Sequence, residues 1–228
     1  MSMTTESMSV VPMLVGQYRK GEALEFLPFS LIEIERAKHA ALRILQGFHF
    51  RTGRTVLITS LCNEPTQFLP IERAVQSYGL VTTMADAFTF DAGRVESTIR
   101  RFDTAAVIGV NAEVVEGLEM MGHDPVKVLS KADAVWARPD AFGRLEQDLP
   151  NLYSFLELGP AVAMECGRKR GAHIDRFEWQ VDVVDGEIVL TSMNRRAESF
   201  SKFRTGVKGR VEFDVCDCGN IDPRIILE

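Results

Sequence analysis

Three cysteines and one histidine carry the sharpest chemical signal in the sequence. Cys166 and His173 are separated by six residues, and Cys216-Asp217-Cys218-Gly219 follows after a gap of forty-two. Three soft thiolates and one imidazole form a Cys3His set suited to tetrahedral Zn2+. The single residue between Cys216 and Cys218 lets both sulfurs turn to one side, and Gly219 relaxes the backbone just beyond. Four protein ligands leave no open position for water, so such a zinc is structural and not Lewis-acidic. Spacing alone leaves a second reading equally open: Cys166 as a core thiol, His173 as a surface histidine and Cys216/Cys218 as a free or oxidised pair.

The other reactive types stand alone. Cys62 follows a predicted strand end, where α/β proteins bind ligands, but has no neighbouring histidine to activate it and reads as a quiet thiol. His39 and His49 fall on different sides of a predicted helix and its exit, and His123 lies in a loop, so all three read as solvated. Arg168-Lys169-Arg170, between two of the proposed ligands, is a solvated loop by default and a counter-charge to the thiolates otherwise.

The elements that must position these residues change texture along the chain. Between Ser30 and about Gln147, segments of helical period alternate with short Val/Ile/Ala runs, the pattern of βα units around a largely parallel sheet. Ser30 with Glu33 has capping-box spacing and opens a helix that ends at Gly47. Strands are predicted at residues 55–60, 80–84, 105–110 and 132–137, and helices at 70–77, 93–102, 113–121 and 139–148. After Pro150 the pattern turns to alternation around Asp185-Gly186, a type I′ hairpin joining strands 179–184 and 187–192, with a further strand at 211–215. The expected organisation is a tail over 1–13, a Rossmann-like α/β layer over 14–150, and a smaller zinc-clipped β subdomain over 151–228 that shares its core with the layer.

Composition narrows the class. With 228 residues, 46% hydrophobic and 25% charged, the chain is an ordinary globular protein and buries roughly 70% or more of its unfolded surface. A net charge of −6 with scattered cations argues against nucleic acid and anionic membranes as partners. The first residues carry Glu6 and no apolar run, so they do not read as a signal peptide, and no segment has the ~20 apolar residues of a membrane helix. A cytoplasmic protein is expected, in which cysteines serve as thiols or metal ligands.

The segment Leu158 to Ile174, LGPAVAMECGRKRGAHI, resembles the phenylacetate-CoA ligase branch of the adenylate-forming enzymes. That family runs from Tyr-Gly-x-Ser/Thr-Glu through Gly-Pro-x-Val-Ala to a Cys and a Gly-x-His. Tyr153-Ser154-Phe155-Leu156-Glu157 is similar to a worn copy of the first element, and Gly186 to Ser192 to the family's Gly-Glu-Leu-Val-x-Thr strand. Lys202-Phe203-Arg204-Thr205-Gly206 resembles Arg-Tyr-Arg-Thr-Gly, and the stretch from Cys216 to Ile225 resembles Cys-Pro-Cys-Gly-Arg-Thr-x-Pro-Arg-Ile. The order and spacing match over about the last third and more faintly from Gly47 onward. The resemblance favours a zinc held by Cys166, His173, Cys216 and Cys218, and it implies the core of an adenylate-forming ligase, truncated and degenerate.

The departures from the family pattern bear on function. An adenylating enzyme needs amides around the ATP phosphates, a carboxylate for the ribose and a lysine on a C-terminal domain. Here Val15 to Gly21 stands in place of the Ser-Ser-Gly-Thr-Thr-Gly loop, Val207 in place of the ribose Asp, and Leu156 in place of the Ser/Thr before Glu157. Trp136-Ala137-Arg138-Pro139 keeps only the Ala and Pro of Gly-Ala-Glu-Pro, and Trp136 is large enough to fill a base pocket. The family continues beyond its Cys-x-Cys motif into a lysine-bearing domain, which is expected to be lacking here. Glu157, beside Mg2+ in the family, is the one weak catalytic candidate and otherwise a polar residue at a strand end.

The expected function is therefore a non-adenylating binding protein, for an acyl or aryl ligand or for another subunit. The alternative is a subunit of a split ligase or a repurposed acyl- or CoA-transfer enzyme, against which Val207 argues. A homodimer or protein partner is also expected, because Phe48, Phe50, Phe88, Phe90, Met120 and Met121 gather near predicted element ends. The same residues would lie inside a self-sufficient domain if the chain covers its own core.

Overall fold

The protein, seen in a computed structural model, is described over residues 10–21 and 23–228. It opens with an antiparallel ribbon of β1 (Pro12–Lys20) and β2 (Ala23–Ser30). The α/β part follows as α1 (Leu31–Gln46), β3 (Thr55–Ser60), α2 (Pro65–Tyr78), β4 (Val81–Asp86), α3 (Ala92–Arg101), β5 (Thr104–Val110), α4 (Ala112–Met120), α5 (Pro125–Leu129), β6 (Ala134–Ala137) and α6 (Pro139–Leu145). Strands then dominate, with β7 (Leu152–Leu158), β8 (Ala161–Glu165), β9 (Ala172–His173), β10 (Trp179–Val184), β11 (Glu187–Ser192), β12 (Phe203–Glu212) and β13 (Arg224–Leu227).

All strands outside the ribbon form one 11-stranded sheet in the order β10-β11-β12-β13-β9-β8-β7-β6-β5-β3-β4. The pairs from β4 to β7 are parallel and those from β7 to β10 antiparallel. β7 is the hinge of this change, parallel to β6 along one edge and antiparallel to β8 along the other. The sheet therefore runs unbroken across the expected boundary at residue 150.

Period-2 alternation explains the two helical layers. Val56 and Ile58 of β3 face α1 and α2, while Leu57 between them faces α3 and α4. Ser30 and Glu33 form the capping box, with Glu33 Oε2 accepting from the Ser30 amide at 3.0 Å and from its hydroxyl at 2.6 Å. In the hairpin, Asp185 and Gly186 have φ values of +54° and +76°, as a type I′ turn requires.

Several expectations need correction. Residues 1–9 of the expected tail lie outside the described residues, but its end is structured, since β1 begins at Pro12. The second helix begins at Pro65, a proline tolerated in the first turn, so Pro70 lies inside it and does not open it. The strand expected at 211–215 is the far end of the longer β12, and Phe213 to Val215 lie beyond it. Phe48 stacks on Phe50 at 5.4 Å and meets Trp136 at 4.8 Å, so both phenylalanines belong to the core, whereas Phe88, Phe90, Met120 and Met121 remain exposed. No helix among the described residues is long and apolar enough to cross a membrane.

Candidate metal centre

Two loops and two strands bring the four candidate ligands together. Cys166 follows β8, and its carbonyl accepts from the Lys169 amide at 3.0 Å, closing a tight turn in which Lys169 has φ +52°. His173 ends β9. Its partner loop is a second tight turn after β12, where the Gly219 amide donates to the Cys216 carbonyl at 2.7 Å and Gly219 takes φ +84°. β13 then pairs Arg224 with His173, which fixes the distance between the two loops.

The four ligand atoms lie within 4.8 Å of one another. Cys166 Sγ is 3.7 Å from Cys216 Sγ, and Cys218 Sγ is 3.6 Å from His173 Nε2. A tetrahedral zinc with bonds of about 2.3 Å to sulfur and 2.0–2.1 Å to nitrogen would set these separations at about 3.8 and 3.6 Å. The residues therefore fit such an ion. Three are buried and Cys218 is partly exposed.

The surroundings orient the imidazole. His173 Nδ1 lies 3.0 Å from the Asp222 carbonyl oxygen, which can only accept, so Nδ1 carries the proton and Nε2 is free to ligate. The Asp222 carboxylate is held by Arg43 of α1, with Nε at 3.1 Å and Nη2 at 2.7 Å. Burial pushes the Cys166 thiol up to about 12 and raises Cys218 as well. Cys216 is buried too, but hydrogen bonds from the Cys218 amide and from both other thiols hold it below the ordinary thiol value. Burial lowers His173 and keeps it neutral, the state in which it ligates. A divalent cation would supply the charge that lets the buried thiols ionise.

The remaining candidates are not part of this cluster. Glu157 lies in β7 at the carboxyl ends of the parallel strands, where ligands bind in open α/β sheets. Arg138, which follows β6, takes up that place. Its Nη1 and Nη2 donate to Glu64 at 2.8 and 2.7 Å, Nη1 lies 3.4 Å from Glu157, and the guanidinium sits 5.4 Å over the Phe68 ring. Burial pushes the Glu157 carboxyl up, and Arg138 offsets only part of that. Trp136 is fully buried against Phe48 and Tyr153, with Nε1 donating to the Glu165 carbonyl at 2.8 Å. Val15 to Lys20 are paired with β2 and make no loop of convergent amides, and Val207 packs partly buried in β12. Cys62 is exposed beside a cavity of about 330 Å³ that Glu64, Phe68, Met84, Asp86 and Arg94 also line. His39, His49 and His123 are exposed. Lys169 donates to the Pro150 carbonyl at 2.6 Å, while Arg168 and Arg170 are exposed loop residues.

Sequence reasoning missed two features of this region. Arg138 as a bridge between Glu64 and Glu157 joins residues far apart in the chain, and only the Arg in place of a family Glu hinted at it. A second buried charge cluster, in which Arg196 meets Glu33 at 3.0 Å and Glu178 at 2.8 Å, left no sequence signal beyond the capping box.

The sequence matches no protein-family model. It matches no curated protein. The fold, however, is shared with solved CoA ligases. A 2-hydroxyisobutyryl-CoA ligase in complex with 2-HIB-AMP superimposes with TM-score 0.71 at 14% identity, over 94% of this chain and 50% of that one. A malonyl-CoA ligase with methylmalonyl-CoA and AMP bound gives 0.56 at 16%, over 96% and 53%. The o-succinylbenzoate CoA synthetase of Bacillus subtilis gives 0.56 at 13%, over 96% and 49%. The chain thus has the fold of part of an adenylate-forming CoA ligase. It spans about half the length of the solved structures it matches.

Proposed function

We propose that the chain is a zinc-clipped, non-adenylating form of this ligase core, of the phenylacetate-CoA ligase branch, working as a binding protein in the cytoplasm. Its partner is a small acyl or aryl ligand or another protein subunit. The observation that carries this reading is the bridge from Arg138 to Glu64 and Glu157. It fills the strand-end crevice with a guanidinium whose two terminal nitrogens are already paired with the protein's own carboxylates, so a triphosphate there would have to displace a buried ion pair. The zinc, held by Cys166, His173, Cys216 and Cys218, would fasten the loop after β8 to the loop before β13 and take no part in chemistry.

Size and place in the fold together bear on where a ligand would sit. The cavity beneath α1, near His173 and Arg196, measures about 70 Å³, well short of the ~150 Å³ that holds a benzene ring. The cavity of about 330 Å³ beside Cys62 and Met84 is large enough for a small aryl or acyl group and lies at the carboxyl ends of β3 and β4, whereas the larger hollows of about 580 and 770 Å³ lie away from those two strand ends. The experiment is a melting series with ATP/Mg2+, with CoA and with a panel of aryl and short acyl acids. The reading expects a shift from an acid and none from ATP/Mg2+; stabilisation by ATP/Mg2+ together with acyl-AMP formation would overturn it. The second reading, a subunit of a split ligase or an acyl- or CoA-transfer enzyme, is disfavoured by Val207, because a split enzyme would still need a ribose carboxylate there.

A further inference from the structure

The β1–β2 ribbon is apolar on both faces. Its inner face, with Tyr18, Leu27 and Phe29, is buried against the antiparallel half of the sheet. Its outer face presents Met13, Val15, Leu24 and Phe26, and the first turn of α1 extends it with Leu31 and Ile32. These six are between 48% and 69% exposed. A solvent-facing side of an antiparallel ribbon is normally polar, and a contiguous apolar face of this kind marks an interaction surface.

The area matches a second copy of the same chain. Full burial of such a side chain is worth 1.5–3 kcal/mol at about 25 cal/mol/Å², or roughly 60–120 Å² each, so the exposed parts of six supply on the order of 350 Å². A standard dimer buries about 800 Å² per partner, of which somewhat more than half, about 450 Å², is apolar. Val11, also exposed, and the aliphatic stem of Arg19 at the rim can supply the rest. Between Val15 and Phe26 this face carries Gln17 and Pro28 and no charge, while Arg19, directly opposite Leu24, brings one cation to its edge. The ribbon is also held in place. Gln17 is fixed by Asn63 at 2.9 Å and by Gln67 at 2.7 Å, and Gly16 lies so close to Thr66 that a Cβ there would meet its hydroxyl at 2.4 Å. Little order has to be imposed on binding.

We propose that two copies of this chain pack through the outer faces of their β1–β2 ribbons, around a two-fold axis, with Phe26 near the centre. The inference rests on the binding-protein reading and names its protein partner. The test is light scattering of the full chain across a dilution series, on the wild type, on Phe26→Arg and Val15→Lys in the ribbon, and on Phe90→Arg in the other exposed aromatic patch. Circular dichroism confirms that each variant is folded. The wild type is expected at twice the 25.5 kDa of one chain at micromolar concentration. Each ribbon variant should raise the dissociation constant roughly 30-fold or more, and Phe90→Arg should leave it unchanged. A wild type that is monomeric throughout, or a dimer that survives both folded ribbon variants, or one broken by Phe90→Arg alone, overturns the proposal. Pyrophosphate exchange on the same samples reports on the non-adenylating reading independently, so either can fail without the other.

Discussion

The backbone carbonyl of Asp222 accepts from His173 Nδ1 at 3.0 Å while the carboxylate of the same residue is gripped by Arg43, so one aspartate couples the candidate metal centre to helix α1. Arg43 also reaches Asp175 at 3.3 Å, and its link to the metal centre runs through its grip on Asp222. Outer partners of this kind typically contribute 10- to 100-fold to metal affinity. Arg43→Met is therefore expected to lower zinc affinity within that range while leaving the stoichiometry unchanged. Competition against a chromogenic chelator measures it, and an affinity equal to the wild type would remove Arg43 from the account.

Adenylation should be absent. Losing one positioned donor at a charge-stabilising site costs ~3 kcal/mol, on the order of 10² in rate, and this chain departs from the family at several. Pyrophosphate exchange with aryl and fatty acids is expected at background, and Val207→Asp alone should not restore it. Exchange clearly above background would return the chain to the enzymes.

Glu157 should give the protein a measurable acid preference. Burial, only partly offset by Arg138, raises its carboxyl above the ordinary 4.5. The folded chain then keeps a proton that the unfolded chain has released, so the associated stability is complete below the ordinary value and is lost as pH rises through the folded one. Wild type should gain on Glu157→Gln as pH falls from neutral toward that value. Urea midpoints of the two proteins at several pH values check the sign, and parallel curves would contradict it.

The buried cluster around Arg196 locks the loop after β11 to the start of α1. Arg196 pairs with Glu33 and Glu178, stacks on Trp179 at 4.3 Å, and all three charged groups are almost wholly buried. Arg196→Met leaves Glu33 without its cation and Glu178 with Arg36 alone, and breaking a buried pair this way costs about 3–5 kcal/mol. A loss below about 1 kcal/mol in chemical denaturation would show that the cluster contributes little.

The elements best read from sequence were those whose signals are local. The Ser30–Glu33 capping box, the Val-Leu-Ile run at the centre of 55–60 and the Asp185-Gly186 turn each specify their structure within a few residues. The ribbon was missed although Leu14, Gly16 and Tyr18 alternate inward, because apolar Met13 and Val15 between them hide the period. β7 and β8 form a local hairpin across Gly159-Pro160, in which near-continuous burial leaves no alternation to read, and the four-residue β13 is a strand through its pairing with β12 and β9. The metal cluster was legible because cysteine and histidine carry their chemistry in their identity, but its closure depends on β9 meeting β13, which no local pattern encodes.

The central claim is that Cys166, His173, Cys216 and Cys218 hold a metal that fastens the two halves of the antiparallel sheet. Elemental analysis of protein purified without added metal, paired with its thermal unfolding before and after chelation, tests this directly, with Cys216→Ser and His173→Ala alongside. The account predicts one zinc per 25.5 kDa chain in the wild type, little or none in either variant, and loss of folded structure in at least the C-terminal strands when the metal is stripped. A wild type that is fully folded and free of metal would contradict it.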